Sequence, residues 1–389
     1  MGKPRILVIT RNLPPLRGGM ERLNHHLLQE LTQEFELRVC CPRECVSAVP
    51  PAVPATGVPL RPLSRFVLAS AVHSIALARR FRPHLVLAGS GLTAPLARMA
   101  AASVNARSGA YLHGLDIAAE HWIYQKLWVR QFRALDLVLV NSRHTAALAE
   151  RAGVLAARIN IVHPGTSLPA WEPARAAEFR QHFGLGDRPV LLSLGRLTSR
   201  KGIVEFLERV MPALVEAVPR IFLAVIGGEA VHSIKADAQG QRQRILRTIQ
   251  RLGMGEHVQL MGEQDDVMVR AAFFSSSALI FPVLDLPGDS EGFGMVAVEA
   301  AAHGVPTVAF AVGGVVDAVA DPESGSLVPS GDYACMTENL IELCRGSELE
   351  EARLRRRDFA AKFEWGRFGE RVREACGAVI RNADAGLAP

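Results

Sequence analysis

No Asp-x-Asp occurs among the thirteen aspartates of this 389-residue chain, and no Cys-x-x-Cys among its six cysteines. The first absence argues against a carboxylate pair that bridges a divalent cation to a diphosphate. The second, with no His at zinc spacing, excludes a structural zinc and leaves Cys40, Cys41, Cys45, Cys335, Cys344 and Cys376 as reduced, mostly buried thiols. No long hydrophobic run is present either. The most apolar tract, Val296 to Ala320, is broken by Glu299, His303, Gly304, Pro306, Gly313, Gly314 and Asp317, so it cannot be a spanning helix. The start, M-G-K-P-R-I-L-V-I-T, lacks the apolar segment and cleavage site of a secretory leader, which places the expected protein in the cytoplasm. The loop after the first strand-like run reads R-N-L-P-P-L-R-G-G-M-E-R, so the G-x-G-x-x-G of a dinucleotide cofactor site is missing.

What is present is enough chain for two domains, at 49% hydrophobic and 21% charged residues, ordinary for a folded globular protein. Residues 1–170 hold 20 Lys+Arg against 9 Asp+Glu, a net +11, whereas 171–389 carry a net −6. That asymmetry suggests an anionic partner for the first half. Short apolar runs alternate with helical periodicity throughout. Strands are predicted at Arg5–Thr10, Leu37–Cys41, Leu85–Ala88, Ala110–Leu112 and Leu137–Val140, then at Val190–Leu194, Ile221–Ile226, His257–Leu260, Ala278–Pro282 and Thr307–Phe310. Helices are predicted at Met20–Glu34, Phe66–Phe81, Thr93–Asn105 and Ala118–Arg133, with a last one from about Trp365. This pattern is α/β, with parallel sheets covered on both faces. The Pro-rich stretch Val162–Pro173 reads as a linker. It divides the chain into domains 1–168 and 169–367, with a final helix of about 368–389 packing back on the first.

In open α/β sheets ligands bind beyond the carboxyl ends of the strands, so chemistry is sought in the loops there. The tract D-S-E-G-F-G-M-V-A-V-E-A-A-A-H-G-V-P places Glu291 in a glycine-punctuated loop and Glu299 inside a strong helix former, Met295–Ala302. Apolar neighbours on every side of Glu299 predict a buried helix whose carboxylate has partners, for which ribose hydroxyls are suited. Near Gly294 the helix start offers amides to a phosphate. A second tract, V-L-L-S-L-G-R-L-T-S-R-K-G, sets Arg196 and Lys201 on one loop, a fork-shaped donor and a point cation suited to a diphosphate without a metal. Weaker features lie in the first half. Gly18 and Gly19 form a loop that could pack on a phosphate, and His113 follows a strand in Y-L-H-G-L-D. Asn141-Ser142 reads as the cap of the next helix.

Together the G-G-M-E loop, the H-G loop, G-R-L-x-x-x-K-G and E-G-F-G-M-V-A-V-E-A-A-A-H-G-V-P resemble the family 4 glycosyltransferases, over nearly the whole chain and in order. The resemblance implies the GT-B fold, two Rossmann-like domains facing across a cleft, and transfer of a hexose from a nucleotide diphosphate sugar with retention. By that likeness Glu299 binds ribose and Glu291 contacts the donor sugar. Arg196 and Lys201 hold the diphosphate, to which Gly294, Met295 and Val296 give amides, while His113 and Gly19 reach the leaving group from the other domain. Base recognition falls around Gly262–Glu263. The tract F-P-V-L-D-L-P-G-D-S-E-G-F-G is similar to that of mannosyl- and rhamnosyl-type transferases of bacterial cell-envelope glycans and favours a GDP-linked donor, with UDP-sugars next. The expected acceptor is a glycan or lipid-linked molecule, reached at the inner face of the plasma membrane by a basic, apolar stretch around Phe66–Phe81. No nucleic acid, metal or cofactor beyond the donor is expected. A nucleotide-sugar epimerase of the same fold and a non-catalytic partner subunit are the alternatives.

Overall fold

In a computed structural model, residues 2–229, 240–346 and 349–385 are described. They form two compact units. One comprises Met1–Gly165, Gly288–Phe293 and Trp365–Pro389, the other Thr166–Pro287 and Gly294–Glu364.

The first unit is built on seven parallel strands: β1 (Arg5–Ile9), β2 (Glu36–Pro42), β3 (Ala55–Val58), β4 (Leu85–Ala88), β5 (Arg107–Leu112), β6 (Leu137–Val140) and β7 (Ile159–Ile161). Their order is β3-β2-β1-β4-β5-β6-β7. Successive side chains of a strand point to opposite faces. Ile6 and Val8 of β1 accordingly join one core, with Leu23, Leu27 and Leu28 of the helix Gly19–Leu31, while Leu7 and Ile9 join another with Phe66, Ala97 and Phe132. Both faces are thus covered. The closing helix, Trp365–Ala385, contributes Phe368, Val372, Cys376 and Ile380 to the first core, and Arg373 Nε donates to Glu34 Oε1 at 3.0 Å. The end of that predicted helix, 386–389, lies outside the described residues.

The second unit repeats the scheme with six parallel strands: β8 (Val190–Leu194), β9 (Phe222–Ile226), β10 (Val258–Gly262), β11 (Ala278–Phe281), β12 (Thr307–Phe310) and β13 (Gly325–Val328), ordered β10-β9-β8-β11-β12-β13. In each sheet the strand order reverses once, between β1 and β4 and between β8 and β11. Loops leaving adjacent strands there run to opposite faces, which opens a crevice at the carboxyl ends.

Three features depart from the predicted elements. Strands β3, β7 and β13 have no counterpart among them; all three lie at sheet edges, where less burial demands a weaker apolar signal. The predicted helix Ala118–Arg133 is broken into Leu115–Ala118, Trp122–Tyr124, a π turn at Gln125–Val129 and Arg130–Phe132. Gln125 Nε2 donates to the carbonyls of Ile117 (2.9 Å) and Ala119 (2.7 Å), satisfying the end of the first turn where the chain leaves the helix. The cap of the helix Arg143–Arg151 is Ser142 alone, whose hydroxyl accepts from Thr145 N at 3.1 Å.

Candidate active site

At the reversal point of the second sheet, the loop after β8 and the loop after β11 touch through their backbones. Gly202 adopts φ +67°, and a β-carbon on it would lie 2.0 Å from the Pro282 carbonyl oxygen. Only glycine fits there. This contact seats the single turn Ser199–Lys201 against the end of β11. Lys201 Nζ lies 4.5 Å from the centre of the Phe281 ring, a cation–π distance. Gly294, the left-handed residue that starts the helix Met295–Ala302, packs against the edge of the same ring, with an added β-carbon 2.9 Å from it. Phe281 therefore holds a cation and a helix amino terminus side by side. Both favour a phosphate.

The Met295–Ala302 helix is not buried all round, as its composition predicts. Ala297, Val298, Ala300, Ala301 and Ala302 are buried, whereas Met295, Val296 and Glu299 are half-buried. Positions i, i+1 and i+4 share one face of a helix, so the apolar alanines serve packing and the remaining stripe stays open. Gly195, Gly227 and Gly262 cross the carboxyl ends of β8, β9 and β10: Gly195 N donates to Ile226 O (3.0 Å) and Gly227 N to Gly262 O (2.8 Å). Gly262 has open space where a side chain would be. Arg196, two residues past β8, is exposed.

In the first unit, a polar network fills the reversal point. His113 Nε2 lies 2.9 Å from the Gly89 carbonyl, which also accepts from Asn24 Nδ2 at 3.1 Å. A carbonyl only accepts, so Nε2 carries a proton and donates it there. Asp116 fixes the loop by accepting from His113 N (2.9 Å) and Gly91 N (2.7 Å). Asn141, read from sequence as a cap, instead donates to the His113 carbonyl at 3.1 Å. Gly18 precedes the helix Gly19–Leu31, and Glu21 in its first turn accepts from Asn12 Nδ2 at 2.7 Å. The segment Gly288–Phe293 belongs to this unit. Gly292 packs on the His113 carbonyl, Phe293 stacks on His163 at 5.2 Å, and Ser290 Oγ is 2.7 Å from His144 Nε2. Glu291 thus falls in the first unit and Glu299 in the second. Sequence reasoning missed Phe281, Asn24 and Asp116, since an aromatic ending a strand, a polar residue inside a helix or an acidic one at a helix start has commoner structural uses.

The Glycosyltransferase Family 4 domain matches residues 17–168 and the glycosyl transferases group 1 domain residues 175–360. The chain belongs to the glycosyltransferases of these two groupings. Among relatives, the GDP-mannose-dependent α-(1-6)-phosphatidylinositol monomannoside mannosyltransferase of Mycolicibacterium smegmatis is 29% identical over 87% of this chain and 88% of that protein. A D-inositol 3-phosphate glycosyltransferase of the same organism is 31% identical over 54% of this chain and 44% of that protein. Among solved structures, a glycosyltransferase from Rickettsia africae superposes with a TM-score of 0.80 at 17% identity, covering 98% of this chain and 100% of that one. HepE of Anabaena in complex with UDP does so with 0.77 at 18% identity, covering 96% and 100%. The fold is GT-B, two Rossmann-like parallel-sheet domains.

In this glycosyltransferase the carboxyl end of the Glu299 helix is anchored as firmly as its start. His303 Nδ1 donates to the Glu299 carbonyl at 2.7 Å, and its ring stacks on Phe273 with centroids 4.5 Å apart. Arg356 Nη1 donates to Gly304 O (2.9 Å), and Arg357 donates to both Ala302 O (2.8 Å) and Pro169 O (2.7 Å). Burial first, then the charges of Arg357 and Arg270, push the His303 imidazole down to about 3. An unfolded histidine titrates near pH 6.5. Between those values only the unfolded chain takes up the proton, so stability is whole above about pH 6.5 and falls as pH drops from there toward 3. The expected slope is ~1.4 kcal/mol per pH unit from this residue. Urea melts from pH 7 to 4.5 check it: His303→Asn, which keeps a donor near Nδ1 but cannot titrate, should flatten the slope, and an unchanged slope would refute the assignment.

Proposed function

We propose that this glycosyltransferase moves a mannosyl or similar hexosyl residue from a GDP-linked donor to a glycan or lipid-linked acceptor of the cell envelope, with retention and without a metal. The observation that carries the reading is Lys201 and the Gly294 helix start sharing the Phe281 ring, with the open stripe Met295, Val296 and Glu299 running on from there. Amides and an ammonium meet the diphosphate at one end of that stripe, and one turn further Glu299 accepts from the ribose hydroxyls. Two relatives, 29% and 26% identical over 87% of the chain, are named as GDP-mannose-dependent mannosyltransferases, which supports the donor.

In the reaction the bond from the anomeric carbon to the β-phosphate oxygen breaks as the acceptor oxygen bonds to the same face of that carbon. The acceptor proton passes to the departing phosphate oxygen. The negative charge that grows on the diphosphate is the quantity to be stabilised, and Lys201 with Arg196 takes that part. Glu291 orients the sugar. His113, held at Nε2 by the Gly89 carbonyl, suits a hydroxyl of the sugar or acceptor.

The basic helix Leu63–Phe81 supports delivery at an anionic membrane surface. Its Phe66 turns into the core, while Leu63, Leu68 and Val72 are 44%, 68% and 59% exposed, beside exposed Arg61, Arg65, Arg79, Arg80 and Arg82. No described helix is long and apolar enough to cross a membrane. An exposed apolar stripe rimmed by arginines fits a helix lying in the headgroup region.

Three outcomes are expected. Glu299→Ala and Lys201→Ala should each lower turnover by ~10²–10³ with folding intact by circular dichroism, because each removes a charge-assisted contact; wild-type turnover in either would end the assignment. Transfer should persist in excess EDTA, and a loss reversed by Mg²⁺ or Mn²⁺ would refute metal independence. In liposome co-sedimentation the protein should pellet with anionic vesicles at low salt and release at high salt, each basic residue adding ~1 kcal/mol; equal recovery with neutral vesicles would contradict the membrane contact.

A further inference from the structure

Arg11 follows β1 at the reversal point of the first sheet, and it is electrically unusual. Its guanidinium is half-buried, 6.0 Å from the centre of the Phe66 ring, and its Nε is buried without a hydrogen-bond partner. Among the described residues it forms no ion pair. The nearby carboxylate, Glu21, is instead engaged by Asn12 Nδ2 at 2.7 Å. Burial first, then the charge of Arg61, pull the Arg11 guanidinium below its usual range, against a smaller opposing effect of Glu21. A partly desolvated cation is ordinarily kept by a partner that returns the lost solvation. Here Glu21 offsets only part of the cost, and Arg61 adds a second cation.

We propose that Arg11, with Arg61 beside it, binds the phosphate of a phosphate-ester acceptor at the carboxyl end of β1. This rests on the reading that the first unit takes the acceptor, and it names the acceptor's class. A guanidinium offers paired donors that match two phosphate oxygens, and two neighbouring guanidiniums suit a phosphate ester better than a singly charged carboxylate. The position fits the rest of the unit. His113, Asn24 and Gly89 lie at the same strand ends and can hold a polyol, while Arg61 leads directly into the helix whose Leu63 and Leu68 are exposed. The phosphate would therefore sit between a polar pocket and an apolar stripe. The ester is either a phospholipid headgroup or a soluble sugar or polyol phosphate.

The test titrates the full chain with glycerol 3-phosphate by calorimetry and, separately, with phosphatidylcholine vesicles with and without phosphatidic acid. Wild type and Arg151→Gln, an exposed control on another helix, should bind at least one phosphate ester saturably. Arg11→Gln should bind about tenfold or more weakly, and Arg11→Lys should recover part of the loss. A loss confined to phosphatidic acid vesicles assigns the site to a lipid headgroup, and one confined to glycerol 3-phosphate to a soluble ester. Equal binding by wild type and Arg11→Gln in both arms, or no binding by wild type in either, overturns the proposal. A GDP-mannose thermal shift on the same samples separates the two readings: it should be the same in Arg11→Gln as in wild type, and its absence from both would count against the donor assignment while the phosphate result stands on its own.

Discussion

The second unit depends on a place where two backbones touch. Because Gly202 lies directly on the Pro282 carbonyl, the loop after β8 cannot rise away from the end of β11, and everything carried by those loops is fixed by that contact. Lys201 comes to rest over Phe281 and the Met295–Ala302 helix begins against the ring's edge. A flexible side chain is thereby held by a rigid one. Ordering a lysine costs rotamer entropy, about 2 kcal/mol at most, and the ring bears part of that cost before any ligand arrives. Such preorganisation is what lets a site stabilise developing charge without rearranging.

Both sheets reverse order at the equivalent place, yet they fill the opening differently. The second offers an ammonium, amides and a carboxylate on a half-open helix. The first offers a hydrogen-bonded network around Gly89, with one imidazole whose Nε2 faces a carbonyl. The surrounding charge follows the same division, with the net +11 of the first 170 residues lying outside that network, on arginines such as Arg61, Arg65, Arg79 and Arg80. One opening suits a polyanion held at its centre, the other a polyol approached through a basic rim.

The central strands were legible in sequence because burial on both faces demands an unbroken apolar run, as in L-V-L-A of β4 and L-V-L-V of β6. The edge strands A-T-G-V, I-N-I and G-S-L-V carry no such demand and were not. Motifs that tie chemistry to spacing, such as the two glutamates and the Arg196/Lys201 loop, could be placed on their elements in advance. What could not be read was which neighbour each residue meets. Phe281 looked like the end of a strand, and Glu299 looked buried because its neighbours in sequence are apolar. Its neighbours in space are decided by a helical face that the run of alanines leaves ambiguous. Asn141 and Ser142 are both fit to cap a helix, and only the fold assigns one to the cap and the other to the His113 loop.

The arginines gripping the carbonyls of Ala302 and Gly304 have an effect at the opposite end of the helix. Eight residues span only about 12 Å, so an anion at Gly294 is within reach of both poles of the peptide dipole. In a bare helix the negative pole would partly cancel the attraction of the positive one. Two guanidiniums on the far carbonyls blunt that opposing field, which leaves a very short helix with the pull of a much longer one.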